Sequence, residues 1–208
     1  MAKLYFRYGA MNSGKSTALL QTAFNYEERG HRVLLAKPAI DTKGAEAIAS
    51  RLGMTRAVDF LIGPDDRPRE QFLAGIGAAS AGVDPDSPQH ASCLLVDEAQ
   101  FCTAAQIDEL FQIAVLDDVP VLCYGIRTDF QTVAFPGSRR LLEIAHSIEE
   151  LKTICRCGRK AVFNGRLVDG EFTFDGDQVA IDGERVAYES LCGLCYLRES
   201  DGRLASQL

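Results

Sequence analysis

The stretch GAMNSGKS, residues 9–16, fits the pattern G-x-x-x-x-G-K-[ST], and its flanks turn that pattern into a statement about fold. LYFRY (4–8) ahead of it reads as a strand. Behind it, KSTALLQTAFNYEERG places Ala18, Leu19, Thr22, Ala23 and Tyr26 at helical spacing, with Gly30 where a C-cap belongs. Strand, glycine-bearing turn and helix together make the context in which this pattern cradles phosphate. Gly9 and Gly14 let the backbone curl, so that N–H groups along Ala10, Met11, Asn12 and Ser13 point inward at phosphate oxygens. Lys15 is then expected to reach the β- and γ-phosphates and Ser16 to ligate Mg²⁺, while the helix adds its positive N-terminus. The expected ligand is ATP or GTP.

Working outward, three more runs read as strands: RVLLAKP (32–38), CLLVDE (93–98) and VPVLCYG (119–125). The middle one is nearly all apolar, as a strand covered on both faces must be. Thr103 and Gln106 have capping-box spacing and open a helix through about residue 115. Strands alternating with helices give an α/β chain. The expected fold is a P-loop NTPase-like (RecA-like), doubly wound parallel sheet with a small C-terminal zinc ribbon. Ligands in such sheets gather beyond the strand ends, so Asp97 is expected to be the Walker B acid, sharing Mg²⁺ with Ser16. Gln100 is placed with the nucleotide-binding residues. Glu98 is a second acid directly after the first. It either activates water or takes a proton from an organic hydroxyl, and a DE pair alone does not choose.

Residues 63–92 hold Pro64, Pro68, Pro85 and Pro88 and read as a helix between loops. Gly75 and Gly77 resemble the start of a dinucleotide turn, but no third glycine or preceding strand completes it. From about residue 151 glycines become frequent, and cysteine pairs stand at both ends. Cys155 and Cys157 (C-x-C) with Cys192 and Cys195 (C-x-x-C) make a tetrahedral structural zinc site. A segment of roughly 40 residues is too short to fold on its own apolar core, so metal would supply folding energy directly. Cys93, Cys102 and Cys123 read as small core residues. The expected division is 1–150 for nucleotide binding, 151–200 for the ribbon, and a tail at 201–208.

The chain of 208 residues is 47% apolar and 25% charged, enough for one large domain with a small appendage. Its net charge of −7 argues against nucleic-acid binding built on a basic surface. No apolar run approaches the roughly 20 residues that span a bilayer, and the opening residues lack a secretory pattern. The expected location is the cytoplasm, where cysteines remain thiols or metal ligands.

Together, GAMNSGKSTALLQ, KPAID, VDEAQF, CYGIRTDF and the terminal cysteine pairs resemble the zinc-containing thymidine kinases of cells and bacteria. Order and separation agree from residue 3 to about 197, most closely with bacterial members. The resemblance implies transfer of phosphate from ATP-Mg²⁺ to the thymidine 5′-hydroxyl, giving dTMP, with Glu98 as general base. It implies that Phe101 packs on the thymine, with Phe130 and Phe135 among the other aromatics of that site. Segment 124–138 would line the nucleoside site, with Arg127 available for phosphate charge. A lasso returning through 178–192 would close over the base, with Tyr188 facing substrate and Asp182-Gly183 in its turn. Asp41 and Arg51 match residues near the active centre of relatives. A homotetramer and feedback inhibition by dTTP are implied as well. The chain departs from animal members in its C-x-C pair and carries Lys43 where many relatives have arginine. Two alternatives stand beside this one: a kinase with deoxyuridine or broader pyrimidine preference, and a zinc-ribbon ATPase acting on nucleic acid.

Overall fold

The computed structural model describes residues 1–39, 47–76, 91–178 and 186–205. Asp41, Lys43, Gly77 and the Asp182-Gly183 turn lie outside them. The chain begins with β1 (Leu4–Tyr8), α1 (Lys15–Glu27) and β2 (Arg32–Pro38). A hairpin of β3 (Ala47–Ala49) and β4 (Thr55–Ala57) leads to β5 (Phe60–Ile62) and α2 (Pro68–Ile76). Then come β6 (Ala91–Val96), α3 (Ala104–Leu116), β7 (Val121–Gly125), α4 (Pro136–Ile144) and β8 (Ser147–Glu150). Six of these strands form one sheet in the order β5-β2-β6-β7-β1-β8, and every pairing in it is parallel.

The period of two along each strand explains the layers. On β2, Leu34 and Ala36 join a buried cluster with Ile107, Leu110 and Ile113 of α3, Phe72 of α2 and Leu141 of α4. Val33 and Leu35 face the other way, onto Leu19, Leu20 and Ala23 of α1 and onto Ile48 of the hairpin. The sheet is covered on both faces, as its apolar runs require. Cys93, Cys102 and Cys123 are buried in these clusters, where loss of water pushes the Cys93 and Cys102 thiols up to about 12.

Local signals set the helix ends. Gly30 (φ 78°) ends the α1 turn by letting the His31 N–H return to Tyr26 O at 3.1 Å. At α3, Thr103 Oγ1 accepts from Gln106 N at 3.2 Å, while Gln106 Oε1 accepts from Thr103 N at 3.0 Å. Thr103→Ala removes half of that box and is expected to lower unfolding free energy by about 1 kcal/mol, read from denaturant midpoints at constant slope.

The third strand expected from sequence is shifted: it runs Ala91–Val96 and stops before both acids. Glu98 has φ 50°, which no strand residue adopts, so the acids stand in the loop beyond the sheet edge.

Past β8 the structure changes scale. β9 (Thr153–Ile154) and β10 (Lys160–Ala161) pair as a hairpin. β11 (Phe163–Val168), β12 (Glu171–Thr173) and β13 (Val186–Leu191) make an antiparallel sheet in the order β12-β11-β13, followed by α5 (Gly193–Glu199). Its buried cluster is small, with Cys155, Cys192 and Cys195 beside Ala161, Phe174, Leu191 and Tyr196. Gly158 takes the left-handed φ of 83° that the turn after Cys157 needs. Gly193 instead opens α5. Among the described residues no helix is long and apolar enough to cross a membrane.

Candidate active site

Because the large sheet is parallel, the segments after β1, β6 and β7 all leave the same edge. The Gly9 N–H donates to Gly125 O at 3.2 Å, which joins two of them. A Cβ on Gly9 would lie 2.5 Å from Leu151 O, so only glycine fits there. Gly14 stands at the start of α1 with φ 77°, and no side chain caps that helix. Its first N–H groups therefore face a cleft of about 690 Å³ lined by Met11 to Ala18, Gln21, the hairpin residues Ala49 to Leu52, and Glu98. Arg51 is on this wall.

Lys15 is only 8% exposed and folds its Nζ back onto Ala10 O at 3.0 Å and Gly9 O at 3.5 Å. Burial pushes its pKa down, opposed by the charges of Glu98 and Asp97. Asp97 is 4% exposed. Its Oδ2 accepts from Ser16 Oγ at 3.3 Å, and its buried Oδ1 has no hydrogen-bond partner among the described residues. Burial, and then the charge of Glu98, push this carboxyl up to about 6. An unpartnered carboxylate oxygen beside a serine hydroxyl is a donor set that fits a hard divalent cation.

Glu98 is half-buried, and its Oε2 accepts from Gln100 Nε2. Gln100 is 1% exposed and in turn accepts the Ile126 N–H on Oε1 at 3.2 Å. The glutamine thus ties the carboxylate to the loop after β7. Glu98 also lines a second cavity, of about 160 Å³, with Met11, Gln100, Phe101, Ile126, Asp129, Phe130, Phe135, Asn164, Gln178 and Tyr188. Phe101 and Phe135 meet edge to face, with ring centroids 5.3 Å apart at 82°. Arg166 stacks on the Phe130 ring, its guanidinium carbon 3.7 Å from the centroid. Met11 and Glu98 are on the walls of both cavities, where the two adjoin.

A family model described as "Thymidine kinase" matches residues 2–196. A thymidine kinase of Idiomarina loihiensis is 48% identical over 195 residues, covering 92% of this chain and 94% of that protein. One from Chromobacterium violaceum is 46% identical over 198 residues, with 94% and 98% covered. One from Legionella pneumophila strain Paris is 43% identical over 207 residues, with 98% and 93% covered. The chain belongs to the thymidine kinase family.

It is therefore an enzyme of a phosphotransferase family, and its residues can be placed in that light. Gly9 to Ser16 line the larger cleft or shape its loop, and Asp97 meets Ser16 there. Phe101, Phe130, Phe135 and Tyr188 come together around the smaller cavity. Two residues stand elsewhere than expected. Gln100 holds Glu98 and lines the smaller cavity, not the larger cleft. Arg127 lies outside both cavities, its guanidinium carbon 5.9 Å from the Tyr8 ring centroid and close to Gly9 and Glu150.

Sequence reasoning missed Asn164, and placed Asp129 and Gln178 in segments expected to line the site without singling them out. Asp129 Oδ1 accepts from Gln131 N at 2.9 Å and Val133 N at 2.8 Å, a local turn that an aspartate in a loop announces. Its Oδ2 accepts from Gln178 Nε2 at 2.9 Å.

The cysteines expected to hold zinc also come together. The Sγ atoms of Cys155, Cys157, Cys192 and Cys195 all lie within 4.8 Å of one another, and those of Cys157 and Cys192 are 3.5 Å apart. Four thiolates at about 2.3 Å from a central Zn²⁺ stand about 3.8 Å apart, so the cluster fits a structural zinc site.

Proposed function

We propose that the chain transfers the γ-phosphoryl group of ATP to the 5′-hydroxyl of thymidine, giving dTMP and ADP. The observation that carries this reading is the place of Glu98 on the shared wall of a phosphate-loop cleft and an aromatic cavity. A carboxylate there stands between a donor phosphate on one side and a nucleoside hydroxyl on the other. Gln100 orients it, and it accepts the hydroxyl proton as the new P–O bond forms. Lys15 neutralises charge on the phosphates. Ser16 and Asp97 would hold Mg²⁺, which screens the phosphate oxygens when bound. Phe101, Phe130 and Phe135 offer apolar walls to a flat pyrimidine, and Tyr188 and Gln178 add polar groups to the same lining. Arg51 is available to the donor phosphates, being on the cleft wall.

The same reading assigns residues 1–150 to nucleotide binding, 151–200 to a zinc ribbon that closes on the nucleoside, and 201–208 to a tail. It also carries a cytoplasmic homotetramer, inhibited by dTTP and without nucleic-acid partners. Sedimentation velocity and inhibition at fixed thymidine check the first two of these. The test of the reaction compares initial rates on thymidine, deoxyuridine and deoxycytidine, with ATP hydrolysis measured without nucleoside, with and without single-stranded DNA. Thymidine is expected to exceed deoxycytidine at least about tenfold in kcat/KM. A preference for deoxycytidine, or hydrolysis driven by DNA, sinks the reading.

A further inference from the structure

The phosphate loop is gripped from outside its own sheet. Asn164 of β11 and Ser190 of β13 are directly opposite each other in the ribbon's ladder, so both side chains leave the same face. Between them lies the Met11 backbone. Its N–H donates to Asn164 Oδ1 at 2.7 Å, and its carbonyl accepts from Ser190 Oγ. Both ribbon residues are nearly inaccessible, at 3% and 6% exposed. Asn164 Nδ2 also donates to Thr128 O at 2.9 Å, so one amide group fastens the phosphate loop to the loop after β7.

These contacts act on the peptide groups that shape the loop. The Ala10–Met11 peptide has its carbonyl on Lys15 Nζ and its N–H on Asn164. The phosphate-loop lysine and the ribbon therefore hold opposite ends of one peptide plane. The next peptide, Met11–Asn12, is fixed through its carbonyl by Ser190, and it precedes Asn12 at φ 63°. Asparagine tolerates the left-handed region better than most residues, and its surroundings still decide whether it stays there. Here the surroundings include two side chains from a different sheet.

We infer that Asn164 and Ser190 are positioning residues through which the ribbon sets the geometry of the phosphate loop, and with it the affinity for the phosphate donor. The inference rests on the proposal that ATP is that donor. Ser190 lines neither cavity, so its hydroxyl reaches a donor only through Met11. Asn164 lines the nucleoside-side cavity as well, and is therefore read by nucleotide binding alone.

The experiment measures ATP-Mg²⁺ binding without nucleoside, then both KM values and kcat, for the full-length zinc-loaded protein and for Ser190→Ala and Ser190→Thr. Ser190→Ala is expected to weaken ATP binding and raise the ATP KM about five- to tenfold, the loss of one buried hydrogen bond. The thymidine KM and saturated kcat stay within about twofold, and Ser190→Thr, which keeps the hydroxyl, restores ATP affinity. Asn164→Ala, assayed without nucleoside, should lose ATP affinity by a similar factor, and stands in if Ser190→Ala does not fold. Lowered thermal stability with unchanged ATP affinity in these variants overturns the inference and leaves a packing contact. An equal rise in both KM values overturns it too. Wild-type protein that binds no ATP overturns the donor proposal itself, an outcome distinct from wild type and variants binding alike.

Discussion

Glu98→Gln is expected to lower kcat for thymidine phosphorylation by about 10²–10⁴-fold, the range that one positioned proton acceptor contributes. The substitution is close to isosteric. A glutamine at 98 can turn its carbonyl oxygen to Gln100 Nε2, so the bridge to the Ile126 N–H is kept. What is lost is the ability to take a proton. Because the Glu98 charge also supports the Lys15 ammonium, ATP binding must be measured beside the rate. Binding within a few-fold of wild type with a collapsed kcat identifies a loss made in the transition state. A variant that keeps its rate shows that the proton leaves by another route, and the general-base role falls.

Replacing Cys192 by alanine is expected to be as severe, through folding. Among the described residues, Cys192, Cys155 and Cys195 are three of the seven buried in the ribbon's core cluster. Structural zinc in comparable small modules contributes on the order of 10 kcal/mol of folding free energy, more than a cluster of this size can replace. The variant should lose bound zinc by elemental analysis and lose amide protection in β11 and β13. Protection in β6 and β7, inside the large sheet, should remain. Activity should fall below detection, since the ribbon brings Asn164, Gln178 and Tyr188 to the nucleoside-side cavity. A zinc-free variant with an intact ribbon refutes the structural role of the metal.

The parts of this fold that were legible in sequence are those whose signals are local. Gly9 to Ser16 fixed a strand, a turn and a helix, because a backbone that curls around phosphate tolerates few residue types. Thr103 and Gln106 predicted a cap that the geometry contains. The strand at 147–150 was not legible: SIEE is mostly exposed and has no apolar alternation, and it joins the sheet beside β1 through its backbone and an ion pair of Glu149 with Arg7. The hairpin at 47–57 was invisible for a related reason, since each strand has only three residues. Among site residues, the four cysteines and the acid pair declared themselves by spacing. Asn164 could not, because its contact with Met11 spans 153 positions and nothing in FNG announces it. Gln100 was assigned to the nucleotide from its neighbours in sequence, whereas its partners were chosen by the loop after β7.

The walls of the nucleoside-side cavity are drawn from positions scattered between Met11 and Tyr188, almost the whole span of the chain. Synthesis on a ribosome delivers these in order. The residues of the phosphate cleft emerge first, with Glu98 the last of them. Gln178 and Tyr188 emerge near the end, and the cysteine that completes the metal cluster follows seven residues after Tyr188. A nascent or prematurely stopped chain therefore holds the residues of the phosphate cleft before it has either the enclosure for a nucleoside or the ribbon side chains that grip Met11. On the proposed function, transfer of phosphate to an acceptor waits for the final strand of the ribbon.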